Sequence, residues 1–264
     1  MNTVYVEAES QMKETTGAET AVCLLTLTKK TEIQQRLHFY ADYLCHLLNG
    51  RIHQIELSKP NNADAYFFEQ GEGSKPCDLV VFGEPDRSLV KRLLVRYDKP
   101  GFAARLNASL LIAREPSFPI KKILLIVRAQ ESDGIAVDWV CRLAKNNHIQ
   151  VTCLPVIPSQ PGLYRLGAPT KPRQDVLLAE GTHTGKYVRA FLRQFERENI
   201  VCKVTLQPGE PHVQIKQALA ESDCDLVVIA AEPYGRIQRL LLGELVDTLL
   251  HRVDRPILVA KPVG

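Results

Sequence analysis

No stretch of this 264-residue sequence is apolar for long enough to cross a bilayer. The longest uninterrupted runs, such as Ile123 to Val127 and Leu226 to Ala231, are strand-sized, against the roughly 20 residues a transmembrane helix needs. No direct membrane insertion is therefore expected. The first 20 residues carry Glu7, Glu9, Glu14 and Glu19 and lack an apolar signal core, so the expected location is cytoplasmic. The seven cysteines include no CxxC pair and mostly sit inside apolar strand or helix patterns. They read as small buried hydrophobes in a reducing compartment rather than as a disulfide framework or zinc site. His38 and His46 share one helical stretch but have no thiol or carboxylate at metal-ligand spacing, so no metal is expected.

Strong charge of either sign is also missing. The formal net charge is +3, and residues 118 to 264 hold 19 Lys+Arg against 15 Asp+Glu, too weak a bias to suggest nucleic acid as a partner. Arg189, Arg193 and Arg197 form a row at spacing four, opposite an apolar stripe of Val188, Phe191, Leu192 and Phe195, the pattern of a solvated helix face. The Gly-Lys pair in Gly181-Thr-His-Thr-Gly185-Lys186-Tyr187 lacks P-loop spacing and follows a loop instead of a strand. A Ser-His-Asp set, a reactive-cysteine context and paired carboxylates for acid–base work are all absent from the sequence. The expectation is a protein that is not an enzyme.

What the sequence does contain is an internal repeat. Cys77-Asp-Leu-Val-Val81 recurs as Cys224-Asp-Leu-Val-Val228, each followed by Glu-Pro, at Glu84-Pro85 and Glu232-Pro233. Ala21 to Thr28 resembles Ile123 to Val127, and Ser109 to Arg114 resembles Pro256 to Lys261. The offset grows from about 100 residues to 147 between the first strand and the Cys-Asp-Leu-Val-Val strand. The second copy therefore holds an insertion, read as a helix from Thr184 to Glu198, a strand from Val201 to Leu206 and a helix from His212 to Glu221. In the first copy the same interval, Ser58 to Pro76, is rich in Pro, Asn, Gly and Ser and reads mostly as loop. The division expected is a trimmed unit at 1–117 and a full one at 118–264.

Apolar strands alternating with amphipathic helices indicate an α/β chain with two tandem doubly wound parallel-sheet units. The second unit reads as strand Lys122 to Val127, helix Asp133 to Asn146, strand Gln150 to Val156, a Pro-rich loop through Arg173, then the insertion. Strand Asp225 to Ala231, helix Ile237 to His251 and strand Pro256 to Ala260 follow. In such sheets ligands bind beyond the carboxyl ends of the strands, where the winding reverses.

From Lys121-Lys-Ile-Leu to Asp254-Arg-Pro-Ile-Leu-Val-Ala-Lys261, with Arg239-Leu-Leu-Leu-Gly243 between, the second unit resembles the universal stress protein family. The first unit is a weaker match. The resemblance implies strand order 3-2-1-4-5, reduced to 2-1-4-5 in the trimmed unit. It also implies an intramolecular pseudo-dimer in which the two final strands, Ser109 to Arg114 and Pro256 to Lys261, lie near each other, with further dimerisation open.

Many members of that family hold ATP with an Asp after the first strand and a Gly-x2-Gly-x9-Gly-Ser/Thr loop. Here the Asp position is Arg128, the glycine positions are Ala230, Pro233 and Gly243, and the hydroxyl position is Glu244. Pro233 removes a backbone donor, and Glu244 sets a carboxylate where a phosphate needs positive potential. The degenerate pocket is expected to be lined by Val127, Arg128, Val156, Ala230, Glu232, Pro233, Gly243 and Glu244, with Arg128 at its mouth paired to Glu232 or Glu244. With Arg236 and Arg239, Arg128 offers an anion alternative contacts. No cofactor is expected, with ATP as the alternative. The functions this leaves are a regulatory or stress-response protein binding a small anion or a protein partner, a nucleotide-binding member with altered contacts, or a cytosolic module of a membrane transporter.

Overall fold

The computed structural model describes residues 20–27, 32–57, 77–83, 108–156, 182–207, 210–231, 249 and 253–261. The chain runs β1 (Thr20–Leu27), α1 (Glu32–Leu48), β2 (Gly50–Leu57), β3 (Leu79–Gly83), β4 (Ser109–Ala113), β5 (Lys122–Val127), α2 (Asp133–Ala144) and β6 (Gln150–Pro155). It continues through α3 (His183–Arg197), β7 (Cys202–Val204), α4 (Pro211–Glu221), β8 (Leu226–Ala230) and β9 (Ile257–Ala260).

The nine described strands belong to one sheet, ordered β2-β1-β3-β4-β9-β8-β5-β6-β7. Every neighbouring pair is parallel except β4 and β9, which run antiparallel with Leu111 opposite Leu258. Among the described strands the run β2-β1-β3-β4 on one side of that pair corresponds to 2-1-4-5, and the run β7-β6-β5-β8-β9 on the other to the 3-2-1-4-5 that the resemblance implied. The two final strands do meet. The interval 58–76, expected to lack a fifth strand, lies outside the described residues.

The strands are apolar at consecutive positions because both faces of the sheet are covered. On β5, Ile123, Leu125 and Val127 join one core, with Trp139 of α2 and Phe191 and Phe195 of α3; Leu124 and Ile126 join the other, with Ile215 and Ala218 of α4. A one-residue register slip would exchange these two sets.

The repeated Asp explains why the two copies share a sequence at all. Asp78 Oδ2 accepts a hydrogen bond from Ala21 N at 2.8 Å, tying β3 to the start of β1. Asp225 Oδ2 accepts from Lys121 N at 2.8 Å and Lys122 N at 2.9 Å, the same tie between β8 and β5. Across the central seam, Ser109 Oγ accepts from Lys261 N at 3.0 Å. Arg142 of α2 stacks over Trp139 and donates to Thr20 Oγ1, so a helix of the second copy is tied to the first strand of the first.

One expectation is overturned. Cys23 on β1 and Cys77 just before β3 form a disulfide, their Cα atoms 6.0 Å apart. The reason is topological: β3 enters the sheet beside β1, with Cys23 in register with Val80, so residues 54 apart in sequence become neighbours. The cysteines described as free thiols are Cys45, Cys141, Cys153, Cys202 and Cys224.

Candidate functional site

The winding reverses between β5 and β8, which are parallel neighbours, and their carboxyl ends open a mouth there. Val127 and Ala230 are fully buried at the two strand ends, and Val156 follows β6 beside them, its N–H donating to Val127 O at 2.8 Å. Arg128 is the first residue past β5, and its side chain is only 4% exposed. It folds back over the sheet end: Nη2 donates to Ala230 O at 2.9 Å and reaches Ser132 Oγ at 3.5 Å.

The partner that the sequence reading missed is Asp133. This first residue of α2 is fully buried, and its Oδ1 faces Arg128 Nε at 3.5 Å. Its Oδ2 accepts from Arg128 N at 2.6 Å and from Gln130 N at 3.0 Å. Between those two donors stands Ala129, in the left-handed region at φ 58°, a conformation costing a non-glycine residue about 1–2 kcal/mol. One carboxylate thus holds a strained strand-to-helix turn from both sides and balances the guanidinium that the turn presents. The local signal was present as Ser132-Asp133 at a helix start, but it reads equally well as ordinary capping.

Of the eight residues expected to line the pocket, Val127, Arg128, Val156 and Ala230 converge at this mouth. Glu232, Pro233, Gly243 and Glu244 lie outside the described residues, and so do the two proposed pairings of Arg128 with Glu232 or Glu244. The described partners of its guanidinium are Asp133, Ala230 and Ser132.

Among the described residues beside the mouth there is one thiol. Cys153 lies on neighbouring β6, and its burial pushes the thiol well above its ordinary pKa, so it stays protonated. On α1, His38 Nε2 lies 3.6 Å from Asp42 Oδ2, a carboxylate one turn away that the sequence reading passed over. Among the described residues no group of three His, Cys, Asp or Glu side chains is placed to hold a metal ion. No described helix is long and apolar enough to cross a membrane.

A second concavity opens at the opposite end of the sheet. It has a volume of about 620 Å³ and lies between α4, Leu249 and the residues leading into β9, with Glu115 and Ser117 at its side. Arg255 at its edge is occupied in structure, donating through Nη1 to Ser222 O and Cys224 O at 2.6 and 3.1 Å.

The model of the universal stress protein family matches residues 119–261. The chain belongs to that family. The fold agrees over more than the matched region. A universal stress protein from Archaeoglobus fulgidus superposes with a TM-score of 0.58 at 14% identity, over 92% of this chain and 98% of its own. A Pseudomonas aeruginosa protein described as a universal stress protein gives 0.50 at 15% identity, over 91% and 82%. An Arabidopsis thaliana family protein crystallised with AMP bound aligns over 54% of this chain and 92% of its own, at 15% identity and a TM-score of 0.37. No curated protein matches the sequence.

Proposed function

We propose that this universal stress protein is a non-enzymatic regulatory binding protein whose mouth between β5 and β8 does not take ATP in the family's usual manner. The observation that carries this reading is the packing of Arg128 onto Ala230 O and Asp133. A carboxylate at this position accepts hydrogen bonds from an adenosine moiety, whereas a guanidinium has donors only. Swinging the guanidinium aside would break its bond to Ala230 O and leave the fully buried Asp133 with its two backbone donors in place of the ion pair, a cost that a ligand would have to meet. Pro233 and Glu244, which follow β8 in the sequence, act in the same direction. The ligand class is then a small anion or a protein partner. Calorimetry with ATP, ADP and AMP on the full chain tests this: no micromolar binding is expected, and a micromolar Kd for any of the three would overturn it. Mass spectrometry of small molecules released on denaturing the purified protein identifies a ligand without presuming its class.

A further inference from the structure

We propose that Cys23 and Cys77 are an oxidant-responsive pair, a site at which hydrogen peroxide converts two thiols into a disulfide that clamps β1 to the leading end of β3. The geometry singles out this pair among seven cysteines. The Cα separation of 6.0 Å lies inside the range a disulfide spans without moving the backbone. Cys23 is buried in the sheet at 4% exposure, while Cys77 is half-buried and open to a small reagent.

The equivalent site in the second copy is not built for this chemistry. Cys224 there is buried, with Arg255 Nη1 at 3.3 Å from its sulfur. The residue that takes the place of Cys23, in register with Val227, is Leu124. Three of the other thiols, Cys45, Cys141 and Cys202, are held protonated by burial, with pKa values pushed up to about 11, 11 and 12. Cys153 is raised in the same direction.

The reaction balances with peroxide as the only co-reactant. The Cys77 thiolate attacks one peroxide oxygen, the O–O bond breaks, and hydroxide leaves to become water, giving a sulfenic acid on Cys77. The Cys23 sulfur, its proton passed to solvent, attacks the Cys77 sulfur; the S–O bond breaks and a second water forms. Two electrons pass from sulfur to peroxide, and two thiols with one peroxide yield one disulfide and two waters.

The clamp acts where three strands begin. Asp78, next to Cys77, donates through N to Ala21 O at 2.9 Å and accepts at its own carbonyl from Ser109 N at 2.9 Å. Its carboxylate takes Ala21 N. Oxidation therefore firms the joint of β1, β3 and β4, and β4 is the strand that pairs with β9. The bond closes a chain separation of 54 residues, so oxidation restrains the half of the sheet that carries it.

The test is thiol counting on the full chain. After dithiothreitol, alkylation in denaturant followed by intact mass should find seven thiols; after peroxide on the folded protein it should find five, with a peptide map joining Cys23 to Cys77. Dithiothreitol should restore seven without unfolding the chain. Amide exchange at Val22 to Leu24 should slow by about tenfold or more on oxidation. Cys77→Ser, half-buried and mild, should abolish both the thiol loss and the slowed exchange, and Cys23→Ala is the second variant if the first does not fold. Seven thiols after peroxide, a link between other cysteines, a bond that dithiothreitol cannot open in the folded chain, or thiol loss persisting in Cys77→Ser would each overturn the proposal.

Discussion

Asp133→Ala should be among the most destabilising single substitutions in the second half of the chain, and its cost can be apportioned. The carboxylate is fully buried, accepts Arg128 N at 2.6 Å and Gln130 N at 3.0 Å, and faces the Arg128 guanidinium at 3.5 Å. Removing it leaves two backbone donors unsatisfied, at about 1–3 kcal/mol each when buried. It also removes the buried carboxylate that faces the Arg128 guanidinium, a loss of about 3–5 kcal/mol in comparable buried pairs. These losses share one side chain and do not add, so about 3–5 kcal/mol is expected in all. Arg128→Met removes the cation but leaves Asp133 its two backbone donors, and should cost only about 1–2 kcal/mol. At roughly 2–4 °C per kcal/mol for a domain of this size, Asp133→Ala lowers Tm by about 10 °C and Arg128→Met by about half that or less. The single tryptophan, Trp139, is buried on α2 itself, so its fluorescence reports the same element. Equal costs for the two variants would refute the asymmetry, and with it the assignment of Asp133 as the group that holds the turn.

Other positions give independent checks. Ala129→Gly should stabilise the protein by about 0.5–1 kcal/mol in urea titration, because φ 58° burdens alanine and not glycine; a loss would mean the buried methyl outweighs the strain. Gly50→Ala should destabilise by about 1–3 kcal/mol by the same measurement, since a Cβ there would stand 2.5 Å from Thr20 O at the start of the β1–β2 pair; a neutral result would show that the strand ends yield freely. Stability should fall as pH rises from about 9 toward 11–12. Cys45, Cys141 and Cys202 keep their protons in the folded state up to about 11, 11 and 12, while unfolded thiols ionise near 9, so ionisation favours unfolding in that window and not below it. Urea midpoints at pH 8 and pH 10.5 measure this, and a flat profile would contradict the burial of these thiols.

Strand order was legible through the resemblance of the second copy to the universal stress proteins, which implied 3-2-1-4-5, and the repeat carried that order over to the first copy. Helix α3, read as Thr184 to Glu198, spans His183–Arg197 because its apolar stripe is strongly periodic. Strand β7 was read as Val201 to Leu206 but spans Cys202–Val204: among the described strands it pairs with β6 alone, and Val201 is 74% exposed. At the mouth, the position of Arg128 followed from its place after β5. Its partnership with Asp133 did not, because a carboxylate at a helix start is ordinary, and only the backbone turn at Ala129 brings it under the guanidinium. The disulfide was illegible for a related reason, since neither the spacing nor the setting of Cys23 and Cys77 marks them until β3 is seen to enter the sheet beside β1.

The placement of the repeated residues bears on where function can reside. Cys-Asp-Leu-Val-Val is identical in the two copies, and its aspartates do the same work at the amino ends of the strands, taking Ala21 N in one half and Lys121 and Lys122 N in the other. A requirement imposed by the sheet applies to both copies and keeps both alike. At the carboxyl ends the copies share Glu-Pro after β3 and β8 in the sequence but differ after their first strands, where Arg128 follows β5 and Thr28 follows β1. Ligand contacts in such folds come from those carboxyl ends, so two copies kept for the same ligand would be expected to agree there too. The residues that differ there, Arg128 among them, lie where a ligand would make contact. The cysteines add a difference at the amino end, where one copy joins Cys77 to Cys23 and the other sets Cys224 against Arg255. The shared aspartates thus mark the framework, and the residues that differ around them, Arg128 with Asp133 at one end and Cys23 with Cys77 at the other, are where the properties particular to this protein should be sought.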